Sequence, residues 1–303
     1  ARCAHRRRLP RFGGLTVMLL HIRHETVYRY DRPVRHSVQS LRLTPRTEAG
    51  QRVLSWDLQA PGRQTQQLDA HGNIMHLLTL DEPHEESRIA VAGVVETEAV
   101  IGAVSGDRGR LSPLVYLPAT RLTTADEALR DFARRHGART PDRDDVLRLA
   151  QAVREAMDYV PGVTAVSDTA AHAFALGRGV CQDHAQVMLA CCRALGVPAR
   201  YVSGYLLTDR DDHIASHAWV DVWLASESCW HAFDVTNGRP GGAHHCRIAV
   251  GRDYLDACPV RGVRRGGGAE TMEASVAVAA GPDAGRRTAA GLPRLLQQRQ
   301  AQQ

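Results

Sequence analysis

Lysine is missing altogether: every basic side chain of this 303-residue chain is an arginine, 38 of them against 33 carboxylates. Arg2, Arg6, Arg7, Arg8 and Arg11 stand in the first 17 residues without a single acid. The rest of the chain therefore balances to zero. The net charge of +5 is a local feature and not the broad basic field that nucleic acid requires. Long apolar runs are missing too; none approaches the ~18 residues of a membrane-spanning helix. A disulfide framework is not expected, since the 7 cysteines are odd in number and irregularly spaced, with Cys191 and Cys192 adjacent. Neither nucleic acid nor membrane is expected as a partner, and a reducing, cytoplasmic location is the default. With 44% apolar and 23% charged residues the composition is that of a globular protein, long enough for two modest domains or one large one.

The beginning imitates a secretory leader, being positive and followed by apolar GLTVMLL. His21, Arg23 and His24 interrupt that run, and no small-residue cleavage site follows. Residues 1–17 are read as a disordered extension, with Met18 as a candidate start. From Leu20 to about Val100 apolar residues recur with period two in HIRHETVYRY, SVQSLRLTPR, VLSWDLQA, NIMHLLTL and RIAVAGVVETEAV. Turn-rich pieces such as PGRQ and DAHGN separate them. Short alternating strands of this kind predict an antiparallel β-sandwich over 18–110.

Helical signals begin near Thr123. Thr124 and Glu127 have the spacing of a capping box, and ADEALRDFARRHG stops at Gly137. DRDDVLRLAQAVREAMDYV repeats the logic with a stripe of Val146, Leu149, Ala150, Val153 and Met157. Residues 111–262 are assigned to one helix-and-sheet core, 263–280 to a returning β-strand, and 281–303 to a disordered tail.

The chemistry gathers around GRGVCQDHAQVMLACCRALGVPARYVSGY, residues 177–205. Ala185, Met188, Leu189, Cys192 and Leu195 form a helical stripe that Gly196 and Pro198 end, so Cys181 heads the helix on its core-facing side. At a helix start the unpaired N–H groups and macrodipole favour a thiolate, and the same N–H groups can receive an oxyanion. Taken alone, a helix-start cysteine is more often packing than chemistry. Two later residues change the balance, because a nucleophilic thiol needs a base and the base needs an orienting partner. His217 stands early in the strand SHAWVDVWLA and Asp234 late in CWHAFDVT. Antiparallel pairing through a short turn sets these outer ends side by side. Parity does not select the face, since His217 shares its side with Trp219, Asp221 and Trp223 and not with the apolar set Ala218, Val220, Val222 and Leu224.

The blocks GVCQDHA, RALGVPARYVSGY, SHAWVDVWL and WHAFDVTNG resemble, in order and spacing, the catalytic blocks of the transglutaminase-like superfamily of thiol enzymes. HIRHETVYRYDRPV and SVQSLRLTPR resemble the β-rich N-terminal region of its bacterial group, and IAVGRDYLDACPVRGV a segment after the core, so the likeness covers about 20–275. The resemblance implies an α+β protein: an N-terminal antiparallel β-sandwich followed by a papain-like transglutaminase core, a helical lobe plus antiparallel sheet. It implies Cys181 as nucleophile, His217 as general base and then acid, and Asp234 as the group that fixes the imidazole. One departure is visible, Asp234-Val235-Thr236 where the family reads Asp-Pro-Thr; the carboxylate is kept and the backbone after it is freer.

The implied reaction is cleavage or transfer of a protein or peptide amide through an acyl-thioester. Hydrolysis is favoured, because bacterial members are described as cysteine peptidases. A crosslinking transglutaminase and a catalytically silent binding module are the alternatives, the latter disfavoured because all three triad residues are present. Without lysine the chain cannot crosslink itself through that side chain. No cofactor or metal is expected: among His213, His217, His231, His244, His245 and Cys246 only His213 and His217 have a compatible gap, they span a loop and a strand with no matching cysteine pair, and His244-His245-Cys246 reads as a solvated loop. Asp183 is assigned to support of the helix start, His184 to its polar side or to a supporting place behind the thiol, and Tyr201 and Tyr205 to packing, with lining of the cleft as the alternative. The sequence does not reveal the oligomeric state.

Overall fold

The computed structural model describes residues 17–98, 103–104, 111–208 and 216–281. The expected extension before Val17, the tail beyond Gly281 and His213 lie outside the described residues. HIRHETVYRY and SVQSLRLTPR are not two strands but one, β1 (Val17–Thr44). Its buried positions are mainly even-numbered from Leu20 to Val34 and odd-numbered from Ser37 to Leu43. A register shift between Val34 and His36 makes the change, since one extra residue in a strand turns every later side chain to the other face.

Everything else in the N-terminal sheet is built on β1. Along one edge run β4 (Ile74–Leu80) and β5 (His84–Glu98), antiparallel, from Thr44 opposite Ile74 to Val17 opposite Glu98. Along the other run β14 (Val260–Gly266) and β15 (Glu270–Ala280), from Leu41 opposite Val260 to Leu20 opposite Ala280. β2 (Gln51–Gln59) adds beside β5 and β3 (Arg63–Leu68) beside β4, completing a 7-stranded antiparallel sheet. The sheet curls so that Tyr28, Leu41, Leu78 and Ile89 meet in one apolar cluster. The chain thus returns to its first strand only after the whole core has been laid down.

The core joins four helices to a second antiparallel sheet. The helices are α1 (Glu127–His136), α2 (Arg143–Ala156), α3 (Ala170–Leu176) and α4 (Cys181–Ala194). The sheet holds β6 (Ala103–Val104), β9 (Ala199–Leu206), β10 (Ser216–Leu224), β11 (Cys229–Asp234), β12 (Arg239–Pro240) and β13 (His245–Gly251). Its order is β12-β11-β10-β9-β13, with β6 beside β11. A short parallel pair, β7 (Asp158–Tyr159) and β8 (Arg178–Gly179), sits before α4, and α5 (Tyr254–Ala257) follows β13. The cap of α1 is Asp126, whose carboxylate accepts from Leu129 N–H at 2.9 Å. Thr124 instead donates to Thr120 O, so the expected capping box gives way to a stronger N-cap residue two positions on. No helix among the described residues is long and apolar enough to cross a membrane.

Helix α4 is buried on every side from Asp183 to Arg193, so the expected one-sided stripe is part of a central helix. Burial pushes the Arg193 pKa down to about 10, still well above neutrality. Its guanidinium is satisfied by the carbonyls of Tyr116 and Ala199, both at 3.0 Å, and by Arg252 O and Thr123 Oγ1. On β10, Ala218, Val220, Val222 and Leu224 face this helical core, while Trp219 joins Val202, Ala232 and Val250 on the opposite face.

The two sheets share a core, since Leu20, Ile22, Val95 and Val276 pack in the same cluster as the helices. Polar groups complete the joint. The Gln51 side-chain amide both donates to Arg247 O (2.9 Å) and accepts from Arg247 N–H (2.7 Å). The Asn73 amide does the same for Val250 at 2.7 and 2.8 Å. Two side chains thereby act as the missing neighbour strand of β13, satisfying buried backbone groups that would each cost about 1–3 kcal/mol unpaired. Beneath them the buried Asp221 carboxylate accepts from Arg200 (2.9 Å) and Arg247 (3.0 Å). Burial alone would push Asp221 up, but the two guanidinium groups hold it below its ordinary value.

Candidate active site

Cys181 is delivered by a tight sequence of turns. Gly177, at φ +64°, ends α3 in the left-handed region that glycine tolerates. Arg178 and Gly179 then pair with Asp158 and Tyr159, and α4 starts at Cys181. Asp183 Oδ2 reaches back to Val180 N–H (2.8 Å) and accepts from Thr164 Oγ1 (2.7 Å), the return half of a capping arrangement. Gly179 makes that possible: a Cβ there would lie 2.6 Å from Asp183 Oδ2. Of the two places expected for His184, the polar side and support behind the thiol, the structure gives the second. His184 is buried, with Nδ1 2.9 Å from Val180 O and Nε2 3.1 Å from Met157 O, and so ties the start of α4 to the end of α2.

His217 is the second residue of β10 and Asp234 the last of β11, and the pairing of these strands brings them together. His217 Nε2 lies 2.9 Å from Asp234 Oδ1. The Cys181 thiol acts on the same imidazole and helps to raise its pKa. Cys181 is half-buried, whereas His217 and Asp234 are buried. Burial alone would lower the His217 pKa; the charge and hydrogen bond of Asp234 outweigh it, Cys181 adds to them, and the value is pushed up to about 10. Asp234 is held well below the usual carboxylate range, because His217 and His245 more than offset its burial.

The sequence reading missed two members of this network. Asn237 donates to Asp234 twice, from its backbone N–H to Oδ1 (3.2 Å) and from Nδ2 to Oδ2 (2.7 Å). The Asn237-Gly238 dipeptide is the signal that would have found it, since such pairs mark tight turns. Gly238 N–H closes the turn on Val235 O, and Val235 itself is buried in the core, so the turn keeps its shape without the family's proline. The second is His245, read from sequence as solvated but buried at the start of β13. Gly242 N–H donates to its Nδ1 (3.2 Å), which leaves the proton on Nε2, and Nε2–H donates to Asp234 Oδ2 (3.0 Å). A glycine-rich loop before a strand gave no hint of this, because the contact spans the sheet. Trp219 packs edge-on against His245 at 5.1 Å and near-parallel to His217 at 6.3 Å. Gly204, opposite His217, leaves room for that indole: a Cβ there would lie 2.5 Å from its ring.

A partly accessible thiol at a helix start, acting on an imidazole that a buried carboxylate orients, is the constellation of papain-like thiol enzymes. Residues 20–96 match the bacterial transglutaminase-like N-terminal region, and residues 130–235 match the transglutaminase-like superfamily. The chain belongs to the transglutaminase-like superfamily. An uncharacterized protein of Mycobacterium leprae is 32% identical over 278 residues, spanning 84% of this chain and 96% of that protein. One from Mycobacterium tuberculosis is 31% identical over 270 residues, spanning 80% and 86%. Among solved structures, a candidate cysteine protease from Cytophaga hutchinsonii superposes with a TM-score of 0.71 at 20% identity, covering 88% of this chain and 91% of that one. That likeness shows the shared fold, a strand-rich N-terminal sheet followed by the transglutaminase-like core.

Proposed function

We propose that this transglutaminase-like protein hydrolyses protein or peptide amides through a thioester on Cys181. The observation that carries the reading is the buried relay from Asp234 through His217 to the Cys181 thiol. With its pKa raised to about 10, His217 already holds the proton that Cys181 gives up, and the sulfur forms a bond to the amide carbonyl carbon. The resulting oxyanion lies beside the first N–H groups of α4, which have no partner within the helix. As the intermediate collapses the C–N bond breaks, and His217 gives its proton to the departing nitrogen. Water then attacks the thioester carbonyl while His217 accepts its proton. The C–S bond breaks, and a carboxylic acid and the free thiol remain. Asp234 keeps the imidazole oriented and compensates its positive charge throughout.

An amine in place of water would give a new amide and make the protein a crosslinker; the acceptor decides between the two. The test is incubation with a panel of peptide amides, with and without a fluorescent primary amine, read by intact-protein and product mass spectrometry. Hydrolysis predicts a transient acyl adduct on Cys181, a free acid product and little amine incorporation, all lost in Cys181→Ala. Efficient amine incorporation would reassign the reaction to transfer. Turnover that survives in Cys181→Ala would remove the thiol from the mechanism.

A further inference from the structure

At the end of the β10–β11 hairpin remote from His217 and Asp234, three side chains of different ligand chemistry converge. Glu227 lies in the turn, Cys229 opens β11, and His231 follows two residues later on the same side of the strand. Cys229 Sγ is 3.1 Å from His231 Nε2, and Glu227 Oε2 is 3.2 Å from the same nitrogen. All three donor atoms lie within 4.8 Å of one another.

We propose that Glu227, Cys229 and His231 form a binding site for a divalent transition-metal ion, zinc in particular, with water as the fourth ligand. The site goes beyond the amide chemistry proposed above and departs from the expectation of no metal. Zinc holds thiolate sulfur at ~2.3 Å, imidazole nitrogen at ~2.0–2.1 Å and carboxylate oxygen at ~2.0–2.2 Å, nearly tetrahedrally. Donors so arranged stand about 3.3–3.6 Å apart. The observed separations of 3.1 and 3.2 Å need to open by only a few tenths of an ångström.

The surroundings favour the ion. His231 is buried while Glu227 is exposed and Cys229 half-buried, so the cluster opens outward where water can complete it. Arg143, the first residue of α2, donates from Nε to Glu227 Oε1 at 2.8 Å. Its other nitrogen also touches Oε2, and the ion would take over that contact while Nε keeps the carboxylate oriented from outside. Carboxylate and thiolate together carry the two negative charges a divalent ion requires.

A second trio, His217, Asp234 and His245, also lies within 4.8 Å, but it is already saturated. His245 Nε2 carries its proton because Gly242 N–H occupies Nδ1, and both Asp234 oxygens are filled with donors. An ion bound at the hairpin would pin the turn joining the two strands that carry His217 and Asp234. The spacing Glu-x-Cys-x-His escapes a search for paired ligands, because a strand brings alternate residues together.

The experiment is a Co²⁺ titration of the full chain followed by absorbance, then competition with Zn²⁺. The site predicts a thiolate-to-cobalt charge-transfer band in wild type and in Cys181→Ser, displaced by Zn²⁺. The band is absent in Cys229→Ser, and the affinity falls at least tenfold in Glu227→Gln, an exposed position where folding is not at stake. Zn²⁺ also raises the thermal midpoint of wild type but not that of Glu227→Gln. Absence of the band in wild type overturns the proposal. So does a band that disappears in Cys181→Ser and persists in Cys229→Ser, which would place the ion on the triad.

Discussion

Replacing Asp234 by asparagine keeps the shape of the side chain and removes one acceptor oxygen, with consequences set by the four donors that converge on the carboxylate. These are His217 Nε2 and Asn237 N–H at Oδ1, and Asn237 Nδ2 and His245 Nε2 at Oδ2. An asparagine offers one oxygen and one NH₂, so one pair of donors must face another donor. Asn237 can turn its side-chain amide to present oxygen. His245 cannot adapt without losing the bond from Gly242 N–H, so its buried N–H is left opposed. If the new NH₂ faces His217 instead, the imidazole is driven to the tautomer with a proton on Nδ1 and loses the lone pair aimed at Cys181. Each charge-assisted hydrogen bond contributes about 1.5–3 kcal/mol, and breaking one side of a buried ion pair costs about 3–5 kcal/mol. Asp234→Asn should therefore unfold at clearly lower urea concentration, by about 3–5 kcal/mol. It should lose about 10²–10⁴-fold in turnover on any amide substrate, the usual share of a general acid–base. Its Cys181 should alkylate about tenfold more slowly with iodoacetamide, read by site-resolved mass spectrometry. A variant that alkylates within twofold of wild type and keeps its urea midpoint would refute the reasoning.

Protonation of His217 ties stability to pH. Its pKa is raised from 6.5 to about 10 on folding, so the charged pair stabilises fully below pH 6.5 and is lost as pH rises through 10. Urea midpoints of wild type should decline between those values more steeply than those of His217→Gln; equal slopes would contradict the raised pKa. His245 acts through Asp234 as a positioning residue. His245→Leu should slow Cys181 alkylation about tenfold and shift its pH profile, the effect of one charge-assisted contact, while His245→Gln, which can still donate, recovers part of the rate. Identical profiles for both variants would leave His245 a packing residue.

The strands, the helices and the meeting of His217 with Asp234 were legible because each rests on local signals: alternation, caps, turn residues and motif spacing. Helix α4 starts at Cys181 as the glycine turn implied, and His217 and Asp234 meet because their strands pair. What escaped depends on contacts distant in sequence. The fusion of two expected strands into β1 is decided by β4, β5, β14 and β15, which come from far along the chain. The all-round burial of α4 is likewise a property of its neighbours, and its polar residues Asp183, His184 and Arg193 disguise it as a surface helix. His245 reads as a loop histidine because nothing next to it in sequence shows that Asp234 lies across the turn. The Gln51 and Asn73 bridges to β13 are beyond any local pattern, since an amide aimed at a strand edge looks like any surface amide until the fold is closed.

The relay from Asp234 to Cys181 is tested most directly by the pH dependence of iodoacetamide alkylation at Cys181, resolved by mass spectrometry in wild type and His217→Ala. A working thiol–imidazole pair predicts fast alkylation below pH 7 that slows markedly when His217 is removed. A Cys181 that reacts no faster than free cysteine, and is indifferent to His217→Ala, would contradict the account and leave the superfamily fold serving as a binding module.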